Sequence, residues 1–187
     1  MSVHVVELSP AALRERMGEA LRVYIAAMGY PKETEAQRAP MWAEHALRPG
    51  WAAVAALDTA TDQLVGIGYG YRSARGQWWS EEVRAGLLAQ GRPAIDAEHV
   101  LGSTFELTEL HVHPAAQGAG LGAQLLTALL LGRPEQRVLL STPEVGAEDN
   151  RAWRLYRRTG FGDLLRHFRF TGDPRPFAVL SRDLPMP

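Results

Sequence analysis

The part of this chain that most restricts its fold lies between residues 105 and 131. An extended run from Phe105 to Val112 ends at His113-Pro114. The turn Gln117-Gly118-Ala119-Gly120-Leu121-Gly122 follows, and it leads straight into the apolar helical run Leu125-Leu126-Thr127-Ala128-Leu129-Leu130. Strand, glycine-rich turn and helix in that order form a phosphate cradle. The glycines remove side chains that would hold a diphosphate off the backbone, and the unpaired N–H groups at the helix start point at the anion with the helix dipole behind them. A P-loop needs Gly-Lys-Ser/Thr, but the only lysine is Lys32. A dinucleotide fingerprint needs Gly-x-Gly-x-x-Gly, whereas the spacing here is Gly118-x-Gly120-x-Gly122. A tight turn that merely starts a helix remains the plain alternative.

Around this unit the pattern alternates between strand and helix. Val3 to Glu7 reads as a strand. Ser9 is placed to cap a helix that starts at Pro10 and runs to Gly29, and a second helix covers about 33–47. The runs 51–57 and 64–71, joined by Asp58-Thr59-Ala60-Thr61-Asp62-Gln63, form an antiparallel hairpin. Residues 73–102 read as a long connection holding one short helix, the kind of excursion that serves as a lid or binding loop. A strand at 137–141, a helix at 149–158 and strands at 161–170 and 177–184 complete the chain. The fold class is α/β: a mixed, largely antiparallel central sheet of about six to seven strands with helices on both faces. With 187 residues, one domain over 1–187 is expected, with a helical insertion at about 73–102.

Composition removes several functions. There is no cysteine, so disulfides, thiolate metal sites and a cysteine nucleophile are excluded. Twenty Lys+Arg against twenty-one Asp+Glu leave a net charge of −1, so no global field draws in nucleic acid or an anionic membrane, and any anion must be bound locally. No apolar stretch approaches the roughly 18 residues of a membrane span. The N-terminal residues lack an export-signal layout, and a cytoplasmic location is expected.

The glycine turn resembles the acetyl-CoA-binding motif of the Gcn5-related N-acetyltransferases, Arg/Gln-x-x-Gly-x-Gly/Ala, through Gln117, Gly120 and Gly122. The preceding Leu110-His111-Val112-His113-Pro114 is similar to that family's central strand and its exit. Downstream, Ala152-Trp153-Arg154-Leu155-Tyr156-Arg157-Arg158-Thr159-Gly160-Phe161 resembles the family's Ala-x-x-x-Tyr-x-x-x-Gly-Phe helix end. The resemblance is sharp over about 103–165. It implies a central strand splayed from its neighbour, backbone groups of Leu110 and Val112 pairing with the pantetheine arm, and a diphosphate held by Gln117, Gly118, Ala119, Gly120, Leu121, Gly122 and Ala123. It places Tyr156 as the acid that protonates the departing thiolate. The family's asparagine seven residues before the tyrosine is Asp149 here, with Asn150 one place later, so either could be the one that contacts coenzyme A.

Aminolysis of a thioester needs a base for the amine, a donor for the developing oxyanion and an acid for the sulfur. Strand alternation sets Glu106, Thr108, Leu110 and Val112 on one face, the face on which that family's base commonly lies, which makes Glu106 the candidate base. Glu109 has the opposite parity and would need a bulge to reach the same cleft. The Leu110 N–H is the candidate oxyanion donor. Glu109, His111 and His113 alternate along the strand and read as a polar row rather than as metal ligands, so no metal is expected. Arg151, Arg154 and Arg158 share a helical face that reads as solvated, although an arginine there could meet the 3′-phosphate of coenzyme A. Of the adjacent Trp78 and Trp79, at least one is free to line an acceptor pocket. The expected function is acetyl transfer from acetyl-CoA to an amine in a ternary complex. The competing class is a non-catalytic acyl-CoA sensor of the same fold. The acceptor is not encoded in any readable pattern, nor is the oligomeric state, although a homodimer is common among proteins of that kind.

Overall fold

The computed structural model describes residues 2–186, and their contacts gather into two compact units, 2–71 with 107–131 and 72–106 with 132–186. In the first unit, β1 (Val3–Leu8) pairs antiparallel with β2 (Ala52–Asp58) from Val3↔Asp58 to Leu8↔Ala53, and β2 pairs antiparallel with β3 (Leu64–Arg72). The hairpin between β2 and β3 is the expected one. Asp58 closes it, accepting the Ala60 N–H on its carboxylate at 2.8 Å.

Ser9 caps α1 (Pro10–Glu15) as its position suggests, accepting the Ala12 N–H at 3.1 Å. The helix expected to continue to Gly29 breaks at Arg16, and α2 (Met17–Met28) starts afresh. Long-range partners hold the break. Arg16 grips both carboxylate oxygens of Glu19 at 3.1 Å and also reaches the Asp62 carbonyl, while Glu19 accepts the Leu64 N–H at 3.0 Å. Apolar periodicity continues through Arg16 and gives no sign of this. α3 (Thr34–His45) follows, and Leu13, Leu21, Trp42, Ile67 and Tyr69 form the centre of this unit's core.

In the second unit, α4 (Trp78–Ala89) and α5 (Ala94–Gly102) replace the single short helix expected in 73–102. The Gly91-Arg92-Pro93 break separates two helices, with Gly91 at φ +80°, instead of ending one. Trp79, Val83, Leu87, Ala97, Val100 and Leu101 from these helices pack with Leu139, Leu165 and Val179 as this unit's core. β5 (Arg137–Pro143) and β6 (Gly162–Phe168) both pair antiparallel with β7 (Phe177–Asp183). β4 (Thr104–Val112) contributes residues to both units, and the seven strands run in the order β1-β2-β3-β4-β5-β7-β6. Its described ladder with β5 is parallel and short, from Thr104↔Arg137 to Glu106↔Leu139.

Candidate functional site

The glycine turn is built wholly from the first unit. Where β4 ends, the His113 N–H donates to the Val65 carbonyl at 2.8 Å, and Pro114–Ala116 makes one 3-10 turn. Gln117 folds back so that its Nε2 donates to the Val112 carbonyl at 2.9 Å, tying the loop to the strand end. Gly118 at φ +94° and Gly120 at φ +76° occupy backbone conformations that other residues adopt only at a cost of roughly 1–2 kcal/mol. A Cβ at either would meet nothing within 4 Å. Gly120 caps α6 (Leu121–Leu130), its carbonyl accepting the N–H groups of Ala123 and Gln124 at 3.0 and 3.2 Å. Leu121, Leu125, Leu126, Leu129 and Leu130 bury the other side of that helix. Among the described residues, no acceptor meets the N–H groups from Gly118 to Gly122. A row of open amides at the positive end of a ten-residue helix, with space in front, suits a diphosphate.

The same unit holds a second centre that the sequence did not show as a pair. His111 Nε2 lies 2.5 Å from Glu109 Oε2, and each side chain is 12% exposed. Tyr24 of α2 meets the His111 ring edge-on, with centroids 5.0 Å apart. Tyr24 in turn contacts Tyr30 and Trp42, and Trp42 contacts Tyr69. His45 of α3 lies 3.0 Å from the Tyr69 hydroxyl through Nδ1, and burial, reinforced by Arg48, pushes its pKa down to about 4, so it is neutral at pH 7. His113 stands apart, its Nδ1 accepting the Ala115 N–H at 3.3 Å. Among the described residues, no group of three or more His, Asp or Glu side chains is assembled for a metal. The signal for the pair was in the sequence: a carboxylate and an imidazole two residues apart on one strand share a face.

The second unit carries the other candidates. Glu106, 3% exposed, stands opposite Leu139 of β5. Tyr156 lies buried on α7 (Arg151–Arg158), its ring 5.6 Å from that of Phe161, and its carbonyl accepts the Phe161 N–H at 2.9 Å. Asn150 is the cap of α7: its Oδ1 accepts the Trp153 N–H at 2.9 Å, while Asp149 pairs with Arg154. The helix therefore starts one residue later than the family spacing implies, and the side-chain oxygen of Asn150 serves its own helix. Trp153, with no exposed surface, anchors α7 by donating Nε1–H to the Pro143 carbonyl at 3.0 Å. Arg157 and Arg166 lie over its ring at 5.0 and 5.2 Å and share Glu148 and Asp163 as partners. Trp79 packs inward with its Nε1–H on Ser141 Oγ, and Trp78 is exposed.

A family model described as the acetyltransferase (GNAT) domain matches residues 54–162. A GCN5-like protein acetyltransferase of Mycobacterium tuberculosis is 48% identical over the full length of both chains. The chain belongs to the GNAT acetyltransferase family. Solved structures agree on the fold. A GNAT-family structure from Desulfovibrio desulfuricans superposes with a TM-score of 0.68 at 16% identity, covering 97% of this chain and 99% of that one. A Salmonella typhimurium structure, solved with its cofactor acetyl-CoA, gives 0.63 at 15%, covering 99% and 95%. As a GNAT acetyltransferase the chain carries an acetyl-CoA-binding fold, and the open amides from Gly118 to Gly122 are the feature of this chain that fits the carrier's diphosphate.

Proposed function

We propose that this GNAT acetyltransferase moves the acetyl group of acetyl-CoA to a primary amine of a protein, by direct attack and without an acyl-enzyme. The observation that carries the reading is the row of open amides at Gly118–Gly122. The absence of cysteine supports direct transfer, and the protein acceptor is favoured by the name of the Mycobacterium tuberculosis relative. In this reading the amides hold the diphosphate, Leu110 and Val112 align the pantetheine arm through their backbone groups, and the Leu110 N–H stabilises the developing oxyanion. The family resemblance gives Tyr156 the role of the acid that hands its phenolic proton to the sulfur as the C–S bond breaks. An ammonium must lose a proton before it can attack, and β4 brings two carboxylates to that demand, Glu106 and Glu109.

The test is release of free thiol from acetyl-CoA, measured across a panel of lysine-bearing peptides, peptides with free N-termini and small amines. Mass spectrometry then locates the acetyl group. Turnover on a peptide amine is expected, and coenzyme A binding without turnover on any amine would make the chain a carrier-binding protein instead. Tyr156→Phe should lower kcat by about 10²-fold, the scale of one general acid, and change the coenzyme A Kd less than twofold. Equal losses in both would leave Tyr156 a packing residue.

A further inference from the structure

The Glu109–His111 contact lies in the same unit as the glycine turn, one strand end away from it. Both side chains stay 12% exposed, so a ligand can reach them. The geometry uses one nitrogen of the ring and leaves the other. Nε2 faces the Glu109 carboxylate at 2.5 Å, and Nδ1 carries no hydrogen bond among the described residues. A carboxylate on one imidazole nitrogen fixes the tautomer, with the proton on the nitrogen it faces, and stabilises the imidazolium when the second nitrogen gains a proton. Tyr24 packs edge-on against the ring and limits its rotation.

From this arrangement we infer that His111 is the group that deprotonates the acceptor amine, with Glu109 as its positioning residue. The inference rests on the acetyl-transfer reading above. His111 Nδ1 takes one proton from the ammonium, directly or through one water, and Nε2–H stays on Glu109. The freed lone pair on nitrogen attacks the thioester carbon. The C–N bond forms, the carbonyl pair moves to oxygen, and its return expels the thiolate. The thiolate takes up a proton, and the attacking nitrogen gives up its second one. The net change is ammonium plus thioester to amide, thiol and one proton released to solvent from His111.

The surroundings of the pair bear on this role. Tyr24 from α2 packs on the His111 ring and Arg38 from α3 lies 5.5 Å from the Tyr24 ring centroid, while His45 from α3 meets Tyr69 of β3. His45 is neutral at pH 7, and the charges acting on it are Arg48 and Arg38 as cations and Glu109 and Glu44 as anions. Glu109 is in contact with the His111 ring, and Arg38 is a ring away. Glu106, in contrast, is 3% exposed and set in a ladder with β5.

The experiment compares the wild type with His111→Gln, His111→Ala, Glu109→Gln and Glu106→Gln, using acetyl-CoA and the peptide that releases most thiol with the wild type. His111→Gln should lower kcat by about 10²-fold, leave the coenzyme A Kd within twofold and abolish the acidic limb of the pH–rate profile. Added imidazole should restore part of the rate of His111→Ala. Glu109→Gln should reduce kcat by about tenfold while leaving the peptide KM and the coenzyme A Kd within twofold, because a neutral amide no longer holds the ring in its working tautomer. A His111→Gln rate within threefold of wild type, or an acidic limb that disappears only in Glu106→Gln, overturns the assignment. A wild type silent on every amine defeats the transfer reading itself, whatever the variants do.

Discussion

Gly120→Ala separates two roles that the glycine turn combines. Gly120 sits at φ +76° and ψ 6°, where alanine is disfavoured by roughly 1–2 kcal/mol. Alanine also reduces the freedom of the unfolded chain, which returns about 0.4–1 kcal/mol. An added Cβ meets nothing within 4 Å, so no clash adds to this, and the net loss is about 1 kcal/mol, or a fall in Tm of about 2–4 °C for a chain of this size. Binding should suffer more. The Cβ would stand beside the open amides, and losing one hydrogen bond to a charged group costs about 1.5–3 kcal/mol, a 10- to 150-fold rise in Kd. Gly29→Ala is the matched control. Gly29 has φ +68°, open space around its Cβ position and an exposed place at the end of α2. Scanning calorimetry should show similar Tm losses in both variants, and titration calorimetry with coenzyme A should show weakened binding only in Gly120→Ala. If Gly120→Ala binds coenzyme A like the wild type, or if Gly29→Ala loses affinity to the same degree, main-chain recognition of the diphosphate is wrong.

Two further outcomes concern stability. His45 titrates at about 4 in the fold against 6.5 when unfolded, so between those values the unfolded chain binds a proton that the folded chain does not. Stability should therefore fall as pH drops from 6.5 to 4, by about 3 kcal/mol in all from this group. Urea denaturation at pH 7 and 4.5 should show a smaller acid loss in His45→Gln than in the wild type, and equal losses would mean that His45 is protonated in place. Burial works against the ionised carboxyl of Glu135, but hydrogen bonds and charge from Arg133 and Arg72 outweigh it and hold the carboxyl below its usual range. Arg133 grips it at 2.9 and 3.0 Å and Arg72 at 3.1 Å. Since Arg72 is half exposed and can rehydrate, Glu135→Ala should cost about 2–4 kcal/mol, near the lower end for breaking a buried pair. A loss under about 1 kcal/mol by denaturant titration would show that the clamp adds nothing.

Features determined by a few adjacent residues could be read from the sequence alone. The Ser9-Pro10 helix start, the 58–63 hairpin and the Gln117–Gly122 turn each depend on hydrogen bonds and backbone angles within about six residues, and each is formed as expected. The two helices of 73–102 required knowing that Gly91-Arg92-Pro93 interrupts a helical stretch and that both pieces have an apolar face to bury, which periodicity over short windows left ambiguous. The candidate site divides in the same way. Gln117, Gly118 and Gly120 were legible because main-chain geometry is local. The Glu109–His111 pair was only half legible: alternation put both on one face, but their contact and the packing of Tyr24, more than eighty residues earlier in the chain, depend on where α2 docks. The break at Arg16 and the Glu135 clamp belong wholly to tertiary structure, since Glu19 reaches across to Leu64 and Arg72 to Glu135. A buried charge needs a partner wherever the fold brings one, and no local pattern records which distant residue that will be.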